Sequence, residues 1–291
     1  MKPRIAVVAV GEMGSGVGRR LVQNGLTVLT SLTGRSAASK ARAAGAGLAD
    51  ASDEELAACD IFLSIVPPKD ALGLAERLKP ALERASRKPL YVDCNAVSPE
   101  TVKQIAAVIG VTGARFADAG IIGPPPGSAR PTTFYASGGA AAEFAALSDY
   151  GLTIRVLDAP VGAASALKMS YAGLTKGFTA LGAAMILSAS QAGVAEALTR
   201  ELAASQPPFL AFLQRTVPDM FPKAYRWIGE MEEIAAFAGE APAGNDIYRG
   251  VADFYRRVAE SAAGDEDAEK ELAALREFCA SLATAAARKQ A

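Results

Sequence analysis

A glycine-rich segment near the start of the chain contains the residue types that hold a dinucleotide phosphate. It follows a short β-branched run, Ile5 to Val10, and precedes an amphipathic stretch that extends to about Asn24. In a strand–loop–helix unit, such glycines let the backbone approach a pyrophosphate, and the start of the helix offers unpaired N–H groups to the anion. The helix is expected to begin near Gly14. The residues that we expect at the pyrophosphate are Gly11, Glu12, Met13 and Gly14.

The segment after the second predicted strand carries cations where a dinucleotide site often carries an acid. A site for NAD usually places Asp or Glu at the end of that strand to bind the ribose 2′-hydroxyl. Here no acidic residue occurs between Met13 and Ala49. A guanidinium forks onto a 2′-phosphate, and hydroxyl groups donate to it. The residues expected at such a phosphate are Thr33, Arg35 and Ser36. NADP(H) is therefore the predicted cofactor, the alternative being that Arg35 is a solvated residue at a helix start.

The composition excludes several other chemistries. The 291-residue chain has a formal net charge of −1, which provides no basic surface for nucleic acid, and it contains no histidine. Without histidine, Ser–His–Asp triads, His–carboxylate pairs and most transition-metal sites are excluded, so no metal site is predicted. The cysteines Cys59, Cys94 and Cys279 are far apart in sequence, which fits a reducing compartment and predicts a cytoplasmic protein. A small-molecule substrate is expected.

Apolar strands alternate with helical stretches through the first half of the chain. Helix starts are marked by a capping box at Ser52–Glu55 and by Ser98 followed by Pro99, and Gly45 is the predicted end of an earlier helix. Continuous apolar strands separated by helices predict a mostly parallel sheet that is covered on both faces. The predicted strands are 5–10, 27–31, 61–66, 90–93, 115–119, 132–136 and 153–157.

No comparable strand follows residue 160, so the remaining sequence is predicted to be helical. The expected fold class is α/β, with a Rossmann-type, mostly parallel sheet domain at 1–161 followed by an all-α domain at 162–291. The uncharged segment Gly177 to Ala195 contains Gly, Ser, Thr and Gln, which favours a buried helix of a soluble protein over a membrane span. An apolar helix from Ser165 to about Ala192 exceeds what one small domain buries, so we expect a homodimer.

Five segments of the chain form a set that is specific in its combined order. They are the Gly11/Gly14 loop, Ser64–Pro68, Asp93–Pro99, Asp118–Gly123 and Gly162–Lys168. This set resembles the β-hydroxyacid dehydrogenase family, which includes 3-hydroxyisobutyrate and 6-phosphogluconate dehydrogenases, over nearly the whole chain. The resemblance implies that Lys168 is the catalytic acid/base, at the start of an apolar helix where desolvation favours the neutral amine. It also places Val66, Pro67 and Asn95 at the cofactor and Gly120, Ile121, Ile122 and Gly123 at the substrate.

The sequence departs from the family pattern on the substrate side. Tyr171 and Ala172 stand where the family usually has asparagine after its lysine, and Ile122–Pro124 replaces a Ser-Gly-Gly segment that binds a substrate carboxylate. The pattern is closer to a branch with a distinctive C-terminal domain. The residues of that domain expected to line the cleft are Tyr171, Tyr225, Arg226 and Met231. The alternative for the last three is an amphipathic helix that packs on its own domain.

These observations predict an NADP(H)-dependent oxidoreductase. It would transfer hydride between NADP(H) and a small 3-hydroxy acid or 3-oxo acid, or a related alcohol or carbonyl compound, with Lys168 as general acid/base. One alternative is an imine reductase on the same architecture, against which the retained Lys168 argues. Another is an NADP(H)-binding or sensing protein without turnover, which the loss of the asparagine and Ser-Gly-Gly groups would favour.

Overall fold

The computed structural model describes residues 2–239 and 243–290, the last ten of these by their backbone alone. Its first half contains one eight-stranded sheet in the order β3-β2-β1-β4-β5-β6-β7-β8. All neighbouring strands are parallel except β6 and β7, which run antiparallel. The strands are β1 Arg4–Val8, β2 Thr27–Thr30, β3 Ala49–Asp50, β4 Ile61–Ser64, β5 Leu90–Asp93, β6 Arg115–Ile122, β7 Thr133–Ser137 and β8 Thr153–Val156. The predicted mostly parallel sheet is confirmed, and only the two-residue edge strand β3 was not predicted.

Both faces of the sheet are covered by apolar layers. Val7 and Leu63 belong to one buried cluster, whereas Val8 and Phe62, their neighbours in sequence, belong to the other. Successive side chains of a strand point to opposite faces, so a strand buried on both sides must be apolar at every position. The helices of this half are α1 Glu12–Gln23, α2 Ala37–Ala46, α3 Asp53–Ala57, α4 Ala71–Arg84, α5 Pro99–Gly110 and α6 Ala141–Ala145.

Three helix boundaries were predicted from a capping residue or a glycine stop, and two of them are confirmed. Both predicted starts are confirmed: Ser52 and Glu55 form a reciprocal capping box, and the Ser98 side chain caps α5 with Pro99 in its first turn. The predicted stop at Gly45 is wrong, because α2 continues to Ala46 and ends at Gly47, whose φ of 75° is left-handed. The chain reverses where a glycine adopts that conformation, and Gly45 remains inside the helix.

The rest of the described chain, after β8, contains helices and no strand. The chain divides into two compact units, Met1–Ser170 and Tyr171–Ala291, so the division lies inside the first of these helices. The predicted all-α C-terminal part is confirmed. Its helices are α7 Ala163–Gln191, α8 Ala195–Ser205, α9 Pro207–Met220, α10 Ala224–Ala238, α11 Gly244–Ala262 and α12 Glu266–Gln290.

Helix α7 has the length and composition that a membrane span would need, with a mean hydropathy of 1.2 over its most apolar 18-residue window. Only 44% of that window is buried. The expectation of a buried helix therefore holds for one side of α7, since large apolar side chains on the other side are exposed. These are Tyr171, Leu174, Phe178, Leu181 and Met185, which we call the α7 stripe.

Candidate active site

The glycine loop leaves the start of α1 open to an anion. The helix begins at Glu12, two residues earlier than predicted, with Gly11 as an extended N-cap residue that provides no side-chain hydrogen bond. Gly11, as the N-cap residue, therefore supplies no side chain that would compete with an anion for the first N–H groups of α1. A Cβ on Gly14 would overlap the carbonyl oxygen of Ala9, whereas a Cβ on Gly11 would meet no atom within 4 Å. Gly14 thus permits the close packing of helix and strand, and Gly11 faces open space. Glu12 is exposed and Met13 is half-buried.

Cations without carboxylate partners surround the start of α2. Ser36 is the N-cap residue of this helix, and its Oγ accepts a hydrogen bond from the N–H of Ser39. Thr33 is exposed and Arg35 half-buried. Within the described part of the chain, Arg35, Lys40 and Arg42 form no salt bridge. The residues present at this end of the sheet therefore fit an anionic group of a dinucleotide.

The nearest acid to this segment in sequence, Asp50, bonds to the backbone. Its Oδ1 accepts hydrogen bonds from the N–H of Leu32 at 2.8 Å and of Ala51 at 3.1 Å. Asp50 thereby fixes the chain that leaves β2. A carboxylate used in this way orders the segment that carries Thr33 and Arg35.

Asn95 organises the ends of β4 and β5. Its Oδ1 accepts from the N–H of Val66 at 2.7 Å, and its Nδ2 donates to Ser64 Oγ at 2.8 Å and to Asp93 Oδ2 at 2.6 Å. Both amide hydrogens are therefore used inside the protein, and Asn95 is 3% exposed. The side chain of Asn95 thus positions the backbone of Val66, and the exposed Pro67 follows it, whereas contact of Asn95 with the cofactor stays a prediction.

Asp93 is fully buried beside Asn95. Burial raises the pKa of its carboxyl from 3.8 to about 7, and the neighbouring Asp118 adds to that rise, whereas the hydrogen bonds from Asn95 oppose it. Asp93 and Asp118 are paired in register on β5 and β6.

Asp118 holds the start of α7 at the sheet through hydrogen bonds. It is fully buried, and its two oxygens accept hydrogen bonds from four groups. The donors are Ser137 Oγ at 3.0 Å, the N–H of Gly162 at 2.9 Å, the N–H of Ser165 at 3.1 Å and Ser165 Oγ at 2.7 Å. A carboxylate at a helix N-terminus is also favoured by the helix dipole. The motif Asp118–Gly123 does not by itself assign Asp118 a role, although an aspartate inside an apolar strand is a signal for such an anchor.

Lys168 lies one turn beyond this anchor, against Gly120 of β6. It is half-buried, and a Cβ added to Gly120 would be 2.8 Å from the Cβ of Lys168 and 2.7 Å from the carbonyl oxygen of Ala164. The structure thus brings together the predicted acid/base and the first of the predicted substrate residues within one compact unit. Of the others, Ile121 is buried and Ile122 is half-buried.

The loop after Gly123 packs on α1. Gly123 has a φ of 117°, and the loop reaches Gly16, where a Cβ would lie 3.1 Å from the Cβ of Pro125 and 3.2 Å from the Cδ of Pro126. Only a residue without a side chain fits there without displacing the prolines. The loop on the predicted substrate side is therefore seated on the helix that begins at the glycine loop.

The predicted substrate residues of the second unit differ in their surroundings. Tyr171 and Tyr225 are 49% and 66% exposed, and the Arg226 guanidinium lies 5.7 Å from the centre of the Tyr225 ring. Met231, by contrast, is fully buried. For Met231 this burial favours the alternative, in which the helix packs on its own domain, and a place in the cleft stays a prediction. The apolar spacing of α10 alone did not reveal which of its faces is buried.

A buried ion pair joins α10 to α7 within the second unit. Lys176 bonds to Glu230, and the Lys176 Nζ lies 5.1 Å from the centre of the Trp227 ring. The Tyr255 hydroxyl donates to the Lys176 carbonyl at 2.7 Å. Separating the two helices would leave each charge of this buried pair uncompensated, so the pair holds α10 in its position on α7.

Two family models match the chain. Residues 4–150 match the NAD binding domain of 6-phosphogluconate dehydrogenase, and residues 189–258 match a domain of unknown function (DUF1932). The first match covers the whole sheet except its last strand. The sheet is thus a nicotinamide-dinucleotide-binding domain, and a distinct C-terminal domain follows it.

Individual relatives agree with these matches. The chain is 28% identical over 143 residues to the mitochondrial 3-hydroxyisobutyrate dehydrogenase of Drosophila melanogaster, over 49% of this chain and 44% of that protein. It is 30% identical to the conserved protein MTH1747 of unknown function, which is structurally similar to 3-hydroxyacid dehydrogenases; the TM-score is 0.69, over 89% of this chain and 98% of that one. An imine reductase from Myxococcus stipitatus in complex with NADP⁺ shares the fold, at 22% identity over 90% and 96% of the two chains and a TM-score of 0.56.

Proposed function

The chain belongs to the β-hydroxyacid dehydrogenase family, and on that premise we propose that it is an NADP(H)-dependent oxidoreductase. Its substrate would be a small 3-hydroxy acid or 3-oxo acid, or a related alcohol or carbonyl compound. The observation that carries this proposal is the placement of Lys168, which Asp118 and Gly120 hold at the sheet of the dinucleotide-binding domain. A nicotinamide, when bound, supplies or accepts the hydride.

The chain's own residues would bind and orient the cofactor. The open start of α1 and the bare backbone at Gly11 would hold the pyrophosphate. Arg35 and Ser36 would hold the 2′-phosphate, because no carboxylate competes for Arg35 among the described residues and the α2 N-terminus favours an anion. The cation at this position is the reason for proposing NADP(H) over NAD(H).

Lys168 would move the proton of the reacting alcohol. As the C–H bond gives up its hydride, the neutral amine takes the proton from the hydroxyl oxygen, and the C–O bond becomes a carbonyl. In the reverse direction the ammonium returns that proton to the oxygen. A positioned acid/base of this kind contributes about two to four orders of magnitude in rate. The pinned start of α7 would fix the lysine relative to the sheet.

A substrate screen tests the proposal. Purified protein would be mixed with a panel of 3-hydroxy acids and NADP⁺, then with 3-oxo acids and NADPH, each repeated with NAD⁺ or NADH, and followed at the NADPH absorbance band. Turnover with a member of the panel and NADP(H) is the expected result. Cyclic imines form a second arm, in which turnover limited to imines would indicate an imine reductase. Binding of NADPH without turnover in any arm would indicate a sensing or binding protein.

We further propose that the protein is a homodimer whose copies meet at the α7 stripe. Its five side chains are each about half exposed, from 48% to 59%, and they recur at intervals of three or four residues. This spacing puts them on one side of the helix. Exposed apolar surface of this extent is normally covered by a partner, and a two-fold axis allows the same face of a second copy to cover it.

A further inference from the structure

Arg42 connects the two ends of the proposed dinucleotide site. It lies on α2, and its Nε donates to the carbonyl oxygen of Val10 at 3.0 Å, while its Nη2 donates to Ser39 Oγ at 3.0 Å. Val10 immediately precedes Gly11 and lies beyond the paired residues of β1. The guanidinium therefore spans from the glycine loop to the first turn of α2.

Ser39 extends this connection to the residues at the start of the helix. The Ser36 Oγ accepts from the N–H of Ser39 at 3.3 Å and lies 3.2 Å from its Oγ. Ser36, Ser39 and Arg42 are spaced at intervals of three, so they lie along one side of α2. A continuous set of hydrogen bonds thus runs from the proposed 2′-phosphate position to the residue before the pyrophosphate loop.

The planar guanidinium suits this connection in a way that an ammonium does not. Its donors point in fixed, diverging directions, so one group binds a carbonyl on one element and a hydroxyl on another. A lysine ammonium keeps the positive charge but offers its donors from a single nitrogen on a flexible stem. Charge and geometry at position 42 are therefore separable by experiment.

We propose that Arg42 is a positioning residue for NADP(H) selectivity: it holds the 2′-phosphate site at a fixed separation from the pyrophosphate loop. This inference rests on the proposed cofactor. A ligand that fills both anionic sites binds more tightly when their separation is already fixed before it binds. The affinity of a ligand that fills only one of them depends little on that separation. The role is distinct from that of Arg35, which would contact the phosphate itself.

Arg42→Lys tests the inference, with Arg19→Lys as the matched control. Arg19 is exposed on α1, and no hydrogen bond or salt bridge of its side chain occurs among the described residues. Dissociation constants for NADPH, NADH and adenosine 2′-monophosphate would be measured by titration on wild type and both variants. The expected result is an NADPH affinity about tenfold weaker in Arg42→Lys, or about 1.4 kcal/mol. NADH and adenosine 2′-monophosphate should each change less than about threefold, and Arg19→Lys should bind all three as wild type does.

The outcomes separate this inference from the cofactor proposal. A wild type that binds NADPH and NADH equally would overturn the cofactor proposal, and the inference with it. If wild type prefers NADPH and Arg42→Lys prefers it equally, the inference alone is overturned. It is also overturned if Arg42→Lys binds all three ligands more weakly by the same factor and has a lowered melting temperature. Once a substrate is known, the KM for NADPH should rise in Arg42→Lys while kcat at saturating NADPH stays near wild type.

Discussion

Gly120 of β6 and Lys168 of α7 are in direct contact where the helix packs against the strand. A methyl group on Gly120 would be 2.8 Å from the Lys168 Cβ, closer than side-chain carbons approach one another, so hydrogen is the only side chain that fits. The same glycine faces the Ala164 carbonyl. Asp118, two residues earlier on β6, accepts hydrogen bonds from the N–H and the Oγ of Ser165. Strand and helix therefore fix the stem of the lysine from two sides.

Gly120→Ala should damage activity more than stability. The added methyl must displace the start of α7, at about 1 to 3 kcal/mol, and a displacement of Lys168 by about 1 Å would lower kcat by roughly two orders of magnitude. Gly73→Ala in α4 is the control, since its Cβ meets no atom within 4 Å and alanine favours a helix. Steady-state rates and melting temperatures would check both. A Gly120→Ala variant with normal turnover would contradict the proposed contact.

Lys168→Ala should lower kcat by about two to four orders of magnitude, because the positioned acid/base is gone. NADPH affinity should change little, since the lysine would act on the reacting oxygen and not on the dinucleotide phosphates. Lys168→Arg should fail nearly as badly, because a guanidinium does not give up its proton at any relevant pH. Rates and cofactor titrations on both variants are the measurements. Near-normal turnover in Lys168→Arg would refute the acid/base role and leave a structural lysine.

Arg35→Ala should remove the preference for NADPH. We expect wild type to bind NADPH at least about tenfold more tightly than NADH, or about 1.4 kcal/mol, which is modest for a charge-assisted contact to a 2′-phosphate. The variant should bind the two cofactors with similar affinity, mainly by losing NADPH. Titration of both cofactors checks this, with the exposed Arg19→Ala as a control for the loss of a charge. An unchanged preference in Arg35→Ala would assign the phosphate contact to another residue.

Asp93→Asn should flatten the dependence of stability on pH. The pKa of Asp93 is about 7 in the folded protein and 3.8 without burial, so folding takes up a proton between these values. Protonation of Asp93 therefore adds to the free energy of unfolding; this stabilisation is complete at low pH and is lost as the pH rises through about 7. The free energy of unfolding of wild type relative to the variant should fall by about 2 to 3 kcal/mol between about pH 5 and pH 8. Urea unfolding across that range is the measurement, and parallel curves for the two proteins would count against the shift.

Leu174→Glu combined with Leu181→Glu should convert the proposed dimer to a monomer. Each glutamate would put a charge on the α7 stripe, where a second copy would have to desolvate it. Light scattering at micromolar concentration should give about twice 29.9 kDa for wild type and about 29.9 kDa for the variant. Val111→Glu is the control, since Val111 is 68% exposed and lies outside the stripe. A wild type that scatters as a monomer would refute the dimer.

The strand and helix pattern was predictable because its signals are local. A strand buried on both faces must be apolar throughout, and a capping box such as Ser52 with Glu55 is complete within four residues. The glycine loop was recognisable for the same reason, since the strand before it and the helix after it are adjacent in sequence. The end of α2 was not predictable in this way, because Gly45 and Gly47 are both possible stops and only the backbone conformation shows that the helix ends at Gly47.

The sequence by itself therefore determined the fold class, the dinucleotide loop and the lysine that the family motif contains. Only the tertiary structure decided which residues hold that lysine and which hold the cofactor loops. Asp118 bonds to Ser165 across 47 positions, and Arg42 bonds to Val10 across 32. It also decided that Asn95 serves the Val66 backbone and that Met231 is core. Such partners are chosen by proximity in the folded chain, where each buried polar group must find a hydrogen bond, and no spacing in the sequence records that choice.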